Sequence, residues 1–203
     1  MVEPLAGSVL IDGLDICKIG LNNLRRNVSI IPQDPVVFAG TVRFNLDPFG
    51  EFADESIWSA IDQSHLKGVI SRMEGQLDAQ IQEDGSNLSV GQRQLLCLAR
   101  AILRKNRIIV LDEATANIDL ETDALIQKSI RQDFQGYTVL TIAHRLNTVI
   151  DYDRILVLEA GRVVEFDTPH KLLSDPNSLF LSLVHETGEN NESLLRTTIK
   201  LND

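Results

Sequence analysis

The sequence predicts a mixed α/β domain built mainly on a parallel sheet, with a helical region and a β-hairpin at one edge. Three observations predict it. The short apolar runs "VSII", "IIVL" and "YTVLTI" have the length and β-branched content of strands in a parallel sheet. The last two are separated by a helical stretch, and strand, helix, strand in that order implies a right-handed crossover. Segments around Gly13 and around Ala160–Gly161 alternate apolar and polar residues about a turn and read as hairpins.

Composition narrows the function classes. The 203 residues are 43% hydrophobic and 24% charged, as in an ordinary globular protein with a full core. No apolar run reaches the length of a membrane span, and the opening Val-Glu-Pro lacks the basic start and apolar middle of a signal peptide, so the chain is expected to face the cytosol. A net charge of −10 argues against nucleic acid as a partner, because neutralising phosphates needs clustered Lys and Arg. The short basic stretch from Arg100 to Arg107 reads as the solvated end of a helix. Cys17 and Cys97 form no metal or disulfide framework, and Cys97 reads as a small core residue. His65, His144, His170 and His185 lack metal-ligand spacing.

In chain order, "GSVLIDGLDICKI" is the first hairpin, residues 21–26 a short helix, and "VSII" a strand stopped by Pro32. Residues 35–50 carry Pro35, Gly40, Pro48 and Gly50 and read as an ordered loop. Residues 54–74 read as helical, with Asp54 as cap. Ser89 and Gln92 have capping-box spacing, and Leu95, Leu98, Ala99 and Ile102 follow at helical period. Ile108 to Leu111 is a buried strand ending at Asp112 and Glu113. Asp119 opens a helix with Ile126, Ile130 and Phe134 on one stripe, and "YTVLTIAH" is a second continuous apolar strand. "RILVLEAGRVVEFDT" is the last hairpin and residues 169–184 are small helices; the polar residues from Glu186 onward read as a loose tail.

A buried strand ending in two carboxylates is one way a sheet holds a magnesium ion and a base, although such a pair alone is more often just solvated. The order of the motifs carries more weight. "IIPQDP", "LSVGQ" opening a helix, "IIVLDEA", "ANID" and "TIAH" resemble the glutamine loop, signature, Walker B strand, D-loop and switch histidine of an ATP-binding cassette (ABC). "GTVRFNLDPF" and the glutamate after Asp112 resemble the second cassette of the multidrug-resistance-associated subfamily. The resemblance implies an incomplete P-loop NTPase-like fold over residues 1–184, with a helical subdomain at about 50–104 and a tail at 185–203.

It also implies the roles of residues. Asp112 is expected to hold Mg²⁺ directly or through a water, Gln33 to contact the metal or the water, and Glu113 to polarise the water that attacks ATP. His144 is expected to contact the γ-phosphate, and Gln33 to report occupancy to a membrane domain. Ser89, Gly91 and Gln92 of the signature are expected to face a nucleotide carried by a second cassette, beside an interface ordered by Asp119. Val90 stands where many family members have glycine, a departure expected to leave the helix cap intact while altering the backbone's approach to phosphate. Transmembrane domains and another nucleotide-binding domain are the expected partners, on the cytoplasmic face of the plasma membrane before any internal one.

The family's glycine-rich phosphate loop, G-x-x-x-x-G-K-[ST], has no match: of twelve glycines none is followed by lysine. Four charge-assisted bonds at about 1.5–3 kcal/mol each would be missing, roughly 6 kcal/mol or more, so the chain alone is expected neither to bind nor to turn over ATP usefully. The strand before that loop belongs inside the sheet, and its absence is expected to leave apolar strand surface unpaired. The alternatives are a non-catalytic module that donates its signature to another cassette, and an inactive remnant. A chromosome-maintenance type of cassette ATPase would need long heptads before the signature, and residues 54–85 contain none.

Overall fold

The computed structural model describes residues 4–112, 118–143 and 146–186. The chain divides into two compact units, Met1–Ile142 and Ala143–Asp203, each with its own apolar core.

The first unit opens with β1 (Leu10–Ile11) and β2 (Leu14–Asp15), paired antiparallel. Asp12 and Gly13 turn the chain at φ 49° and 78°, which suits the right-handed twist of a two-residue hairpin and which Asp-Gly adopts with little strain. Helix α1 (Leu21–Asn27) leads into β3 (Val28–Ile31), which ends at Pro32 as expected.

Residues 35–50 are more regular than a loop. They contain β4 (Gly40–Thr41) and the short helix α2 (Val42–Leu46). Side-chain capping makes the difference. Thr41 Oγ1 accepts from the Phe44 amide at 2.9 Å. Asn45 is buried and donates to the Phe38 and Thr41 carbonyls at 2.8 and 3.0 Å, while its own carbonyl accepts from the Phe38 amide at 2.9 Å. Asp47 then accepts from the amides of Glu51 and Phe52 at 3.0 and 2.8 Å. "GTVRFNLDPF" is thus a run of side chains that fasten their own backbone.

The helical stretch from residue 54 is α3 (Asp54–Gln63) followed by α4 (Lys67–Ile70), separated at His65, whose φ of 61° no helix accepts. Asp54 is not the cap. Ala53 holds that position, and Asp54 is the first helical residue with its carboxylate gripped by the Arg43 guanidinium, which holds that carboxyl below the usual carboxylate range. Strand β5 (Gln80–Ile81) pairs antiparallel with β4.

Helix α5 (Val90–Arg104) is the spine of this unit. Leu96, Leu98, Ala99 and Ala101 are wholly buried, and the helix packs on α2, α3 and β3. Each leucine so buried contributes roughly 1.5–3 kcal/mol. Cys97 is buried as expected, and Cys17 is exposed. Arg100, expected in solvent, is instead largely withdrawn from it. Its Nε and Nη2 donate to the Asn45 carbonyl and Oδ1 at 2.6 and 2.8 Å, and Nη1 donates to the Val36 carbonyl.

Strand β6 (Ile108–Asp112), α6 (Leu120–Asp133) and β7 (Thr138–Ile142) form the predicted crossover, and Ile126, Ile130 and Phe134 are buried on one stripe. The sheet is parallel in the order β3-β6-β7, with Ile31 opposite Leu111 and Asp112 opposite Ile142. β7 is less buried than a continuous apolar run suggests. It lies at the margin of the sheet, no described strand pairs with its outer edge, and Leu140 and Ile142 are 57% and 55% exposed.

The second unit contains β8 (Ile155–Glu159) and β9 (Arg162–Asp167), antiparallel about Ala160 and Gly161 with φ 47° and 76°, followed by α7 (Pro169–Ser174) and α8 (Leu179–Glu186). Ile155 and Val157 pack with Leu172, Leu173, Phe180 and Val184. Glu165 accepts from the amides of Leu179 and Phe180 at 2.7 and 3.0 Å, capping α8 from another element. Helix α8 includes His185 and Glu186, the expected start of the tail, and the rest of the expected tail lies outside the described residues.

Candidate functional site

The parallel register brings the carboxyl ends of β3, β6 and β7 to one edge of the sheet, where open α/β sheets receive ligands. Asp112, half-buried, is the last residue of β6, and Gln33 is exposed just beyond β3. Glu113 and His144 lie outside the described residues. Among the described residues no cluster of three His, Cys, Asp or Glu side chains forms a ready cation site. The donors at this edge are a carboxylate and an amide carbonyl, hard oxygens that suit Mg²⁺ completed by water and phosphate rather than an all-protein cage.

The signature lies at the N-terminus of α5. Ser89 is its cap: Oγ accepts from the Gln92 amide at 3.1 Å, and Gln92 Oε1 accepts from the Ser89 amide at 3.0 Å. The capping box read from the sequence is therefore complete, with Val90 as the first helical residue. Gln92 has its carbonyl committed to that box. The Ser89 hydroxyl proton is accepted by no described residue, and the first amides of a helix have no carbonyl above them. A hydroxyl donor at the positive end of a buried helix fits the terminal phosphate of a nucleotide.

Asp119 caps α6 in the same manner, its two carboxylate oxygens accepting from the Thr122 amide and hydroxyl, each at 2.9 Å. The Thr122 amide, then its hydroxyl, hold this carboxyl below the usual carboxylate range, so Asp119 is charged at neutral pH. Gly91 is buried directly against the Thr122 side chain. The structure thus joins Gly91 of the signature to the Asp119 cap.

Two contributors were not read from the sequence. Gln94, buried in α5, donates from Nε2 to the Pro32 carbonyl at 3.1 Å and so fixes the backbone beside Gln33. Thr122 stands between the two caps. Gln94 carries no local signal beyond its polar type, because it acts on a segment far away in sequence; Thr122 has the local spacing of a cap donor to Asp119, but its contact with Gly91 has no such signal.

A separate cavity of about 400 Å³ lies against β3, α2 and α5, lined in part by Ile30, Phe38, Phe44, Pro48, Arg100 and Arg104. It includes neither Asp112 nor Ser89. Its rim exposes Phe38 and Phe44 by about half, beside the two guanidinium groups.

A family model described as ABC transporter matches residues 1–116. The sequence is 55% identical over 196 residues to ABC transporter C family member 3 of Dictyostelium discoideum, covering 97% of this chain and 14% of that protein. It is 54% identical over 198 residues to ATP-binding cassette sub-family C member 4 of Homo sapiens, covering 98% of this chain and 15% of that protein. The chain therefore spans well under a fifth of the length of these curated relatives. Among solved structures, a bacterial Atm1-family ABC exporter with ATP bound superposes with a TM-score of 0.84 at 31% identity, over 92% of this chain and 33% of that one.

Proposed function

This chain belongs to the ABC transporter family, and from that premise we propose that it works as part of the ATP-hydrolysing cassette of a multidrug-resistance-associated exporter. The observation that carries the reading is the shared edge of the parallel sheet, with Asp112 and Gln33 beside the ends of β6 and β3. In this reading residues 1–184 are the cassette portion, with its helical region at about 50–104, and 185–203 its tail.

Asp112 and Gln33 would hold Mg²⁺, which when bound offsets the negative charge of the phosphate oxygens. Glu113 accepts a proton from the attacking water, and His144 donates a hydrogen bond to the terminal phosphate. Ser89, Gly91 and Gln92 present the N-terminus of α5 to the nucleotide of a second cassette, and Asp119 orders the neighbouring interface. Nucleotide phosphates need a cradle from outside these residues, since the sequence has no glycine followed by lysine.

In this reading the apolar cavity beside β3 is a contact surface for the membrane-spanning domains. Exposed phenylalanines supply its contact area and Arg100 and Arg104 its charge. No helix among the described residues is long and apolar enough to cross a membrane. In this reading those domains hold the chain at the cytoplasmic face of the plasma membrane.

Two measurements test the reading. Titration of Mg-ATP into the 203-residue chain is expected to give no saturable binding. In the longer protein containing it, Glu113→Gln is expected to slow phosphate release by about 10²-fold or more while ATP still binds. Unchanged release would remove Glu113 from the chemistry. If Ser89→Ala rather than Glu113→Gln abolishes release, the chain is a signature donor to another cassette and not itself a hydrolytic site.

A further inference from the structure

Gly91 is a helical glycine, and glycine is among the weaker helix formers, so its presence in the first turn of α5 needs a physical reason. Its backbone supplies none, because its φ is not positive. Its neighbour does. A methyl group at Gly91 would lie 2.9 Å from Cγ2, 3.0 Å from Oγ1 and 3.2 Å from Cβ of Thr122, well inside the contact distance of about 3.5–4.0 Å between carbon atoms. Thr122 has little room to retreat. Its hydroxyl is bound to Asp119 Oδ2 at 2.9 Å, its amide is bound to Oδ1 at 2.9 Å, and a β-branched side chain in a helix has few rotamers to choose from.

We propose that Thr122 is a positioning residue that locks the signature end of α5 to the cap of α6, its side chain filling the place of the side chain that Gly91 lacks while its hydroxyl holds Asp119. Gly91 is therefore glycine because of its own chain, whatever approaches the helix from outside. Ser89, Gly91 and Asp119 move as one body, because one threonine side chain packs on Gly91 of α5 while its hydroxyl is bound to Asp119 at the cap of α6. The packing stands by itself. Only its effect on turnover rests on the phosphate-facing reading of Ser89 and Gly91.

Compensation is the test. Thermal unfolding of the 203-residue chain is measured for the wild type, Gly91→Ala, Thr122→Ala and the double variant. Gly91→Ala is expected to melt lower, and adding Thr122→Ala to raise the melting temperature again, since only the 3.2 Å contact with Cβ would remain. A double variant that melts at or below Gly91→Ala overturns the proposal. If Gly91→Ala does not fold at all, recovery of a cooperative transition in the double variant reads the same compensation.

A second readout separates positioning from mere packing. Titration of the Asp119 carboxyl by carbon NMR is expected to move toward the ordinary carboxylate value in Thr122→Ala and to stay depressed in Thr122→Ser, which keeps the hydroxyl. An unmoved titration in Thr122→Ala also overturns the proposal. In the longer ATP-hydrolysing protein, Gly91→Ala is expected to lower turnover by about tenfold, and Thr122→Ala in that background to restore it to within about threefold. If Ser89→Ala leaves turnover intact while melting compensation holds, the phosphate-facing reading fails and the positioning role stands. If Ser89→Ala lowers turnover and the Gly91→Ala loss is not restored, the positioning role fails.

Discussion

Arg100 illustrates how one side chain can hold a segment without an ion pair. Burial pushes its guanidinium below the ordinary value, and no described carboxylate pairs with it, yet an arginine stays protonated at any ordinary pH. Three carbonyl-type oxygens, of Val36, the Asn45 main chain and the Asn45 side chain, replace water around it. Asn45 in turn uses both donors and both acceptor positions. Lysine carries the charge but not the planar fork, so Arg100→Lys is expected to cost about 2–3 kcal/mol in urea unfolding. A loss under roughly 0.5 kcal/mol, the range of ordinary surface substitutions, would mean that the fork is dispensable. A basic run at a helix end gave no hint of this, because the acceptors come from a segment more than fifty residues earlier.

At the scale of elements, caps separate what was legible from what was not. The Ser89–Gln92 box and the Asp119 cap were readable because donor and acceptor lie within one turn of the same helix. The two hairpin turns were readable for the same reason, their positive-φ pairs being adjacent residues. Helix α8 shows the opposite case. Its first amides are bound by Glu165 of β9, fourteen residues upstream of Leu179, and no spacing rule anticipates a cap from a strand. Glu165→Gln keeps the size but removes the charge and one acceptor from a helix N-terminus. It is expected to destabilise α8 by roughly 1 kcal/mol, seen as amide exchange in that helix faster by several-fold. Unaltered exchange would show that the carboxylate is incidental. Gln94 and Thr122 escaped notice on similar grounds, since each acquires its role only when α5 meets the backbone after β3 or the first turn of α6.

For the molecule as a whole, the sheet order β3-β6-β7 leaves the apolar outer strand β7 with an edge that no described strand covers. Such an edge is a template for other chains. Leu140→Lys places a charge on that strand and is expected to reduce concentration-dependent association of the 203-residue chain in sedimentation velocity; unchanged association would place the sticky surface elsewhere. Periodicity predicted the strand and its parallel partner correctly, but it reports only that residues are apolar, and whether they are covered depends on neighbours. The same topology governs how the chain comes into being. β6 and β7 are separated only by α6, whereas β3 must find β6 across the whole stretch from α2 to α5, and distant closures are slow. During synthesis β3 emerges long before its only described partner, and at ordinary elongation rates it waits for seconds with both edges open. The nascent chain is at its most vulnerable while α5 is still being made.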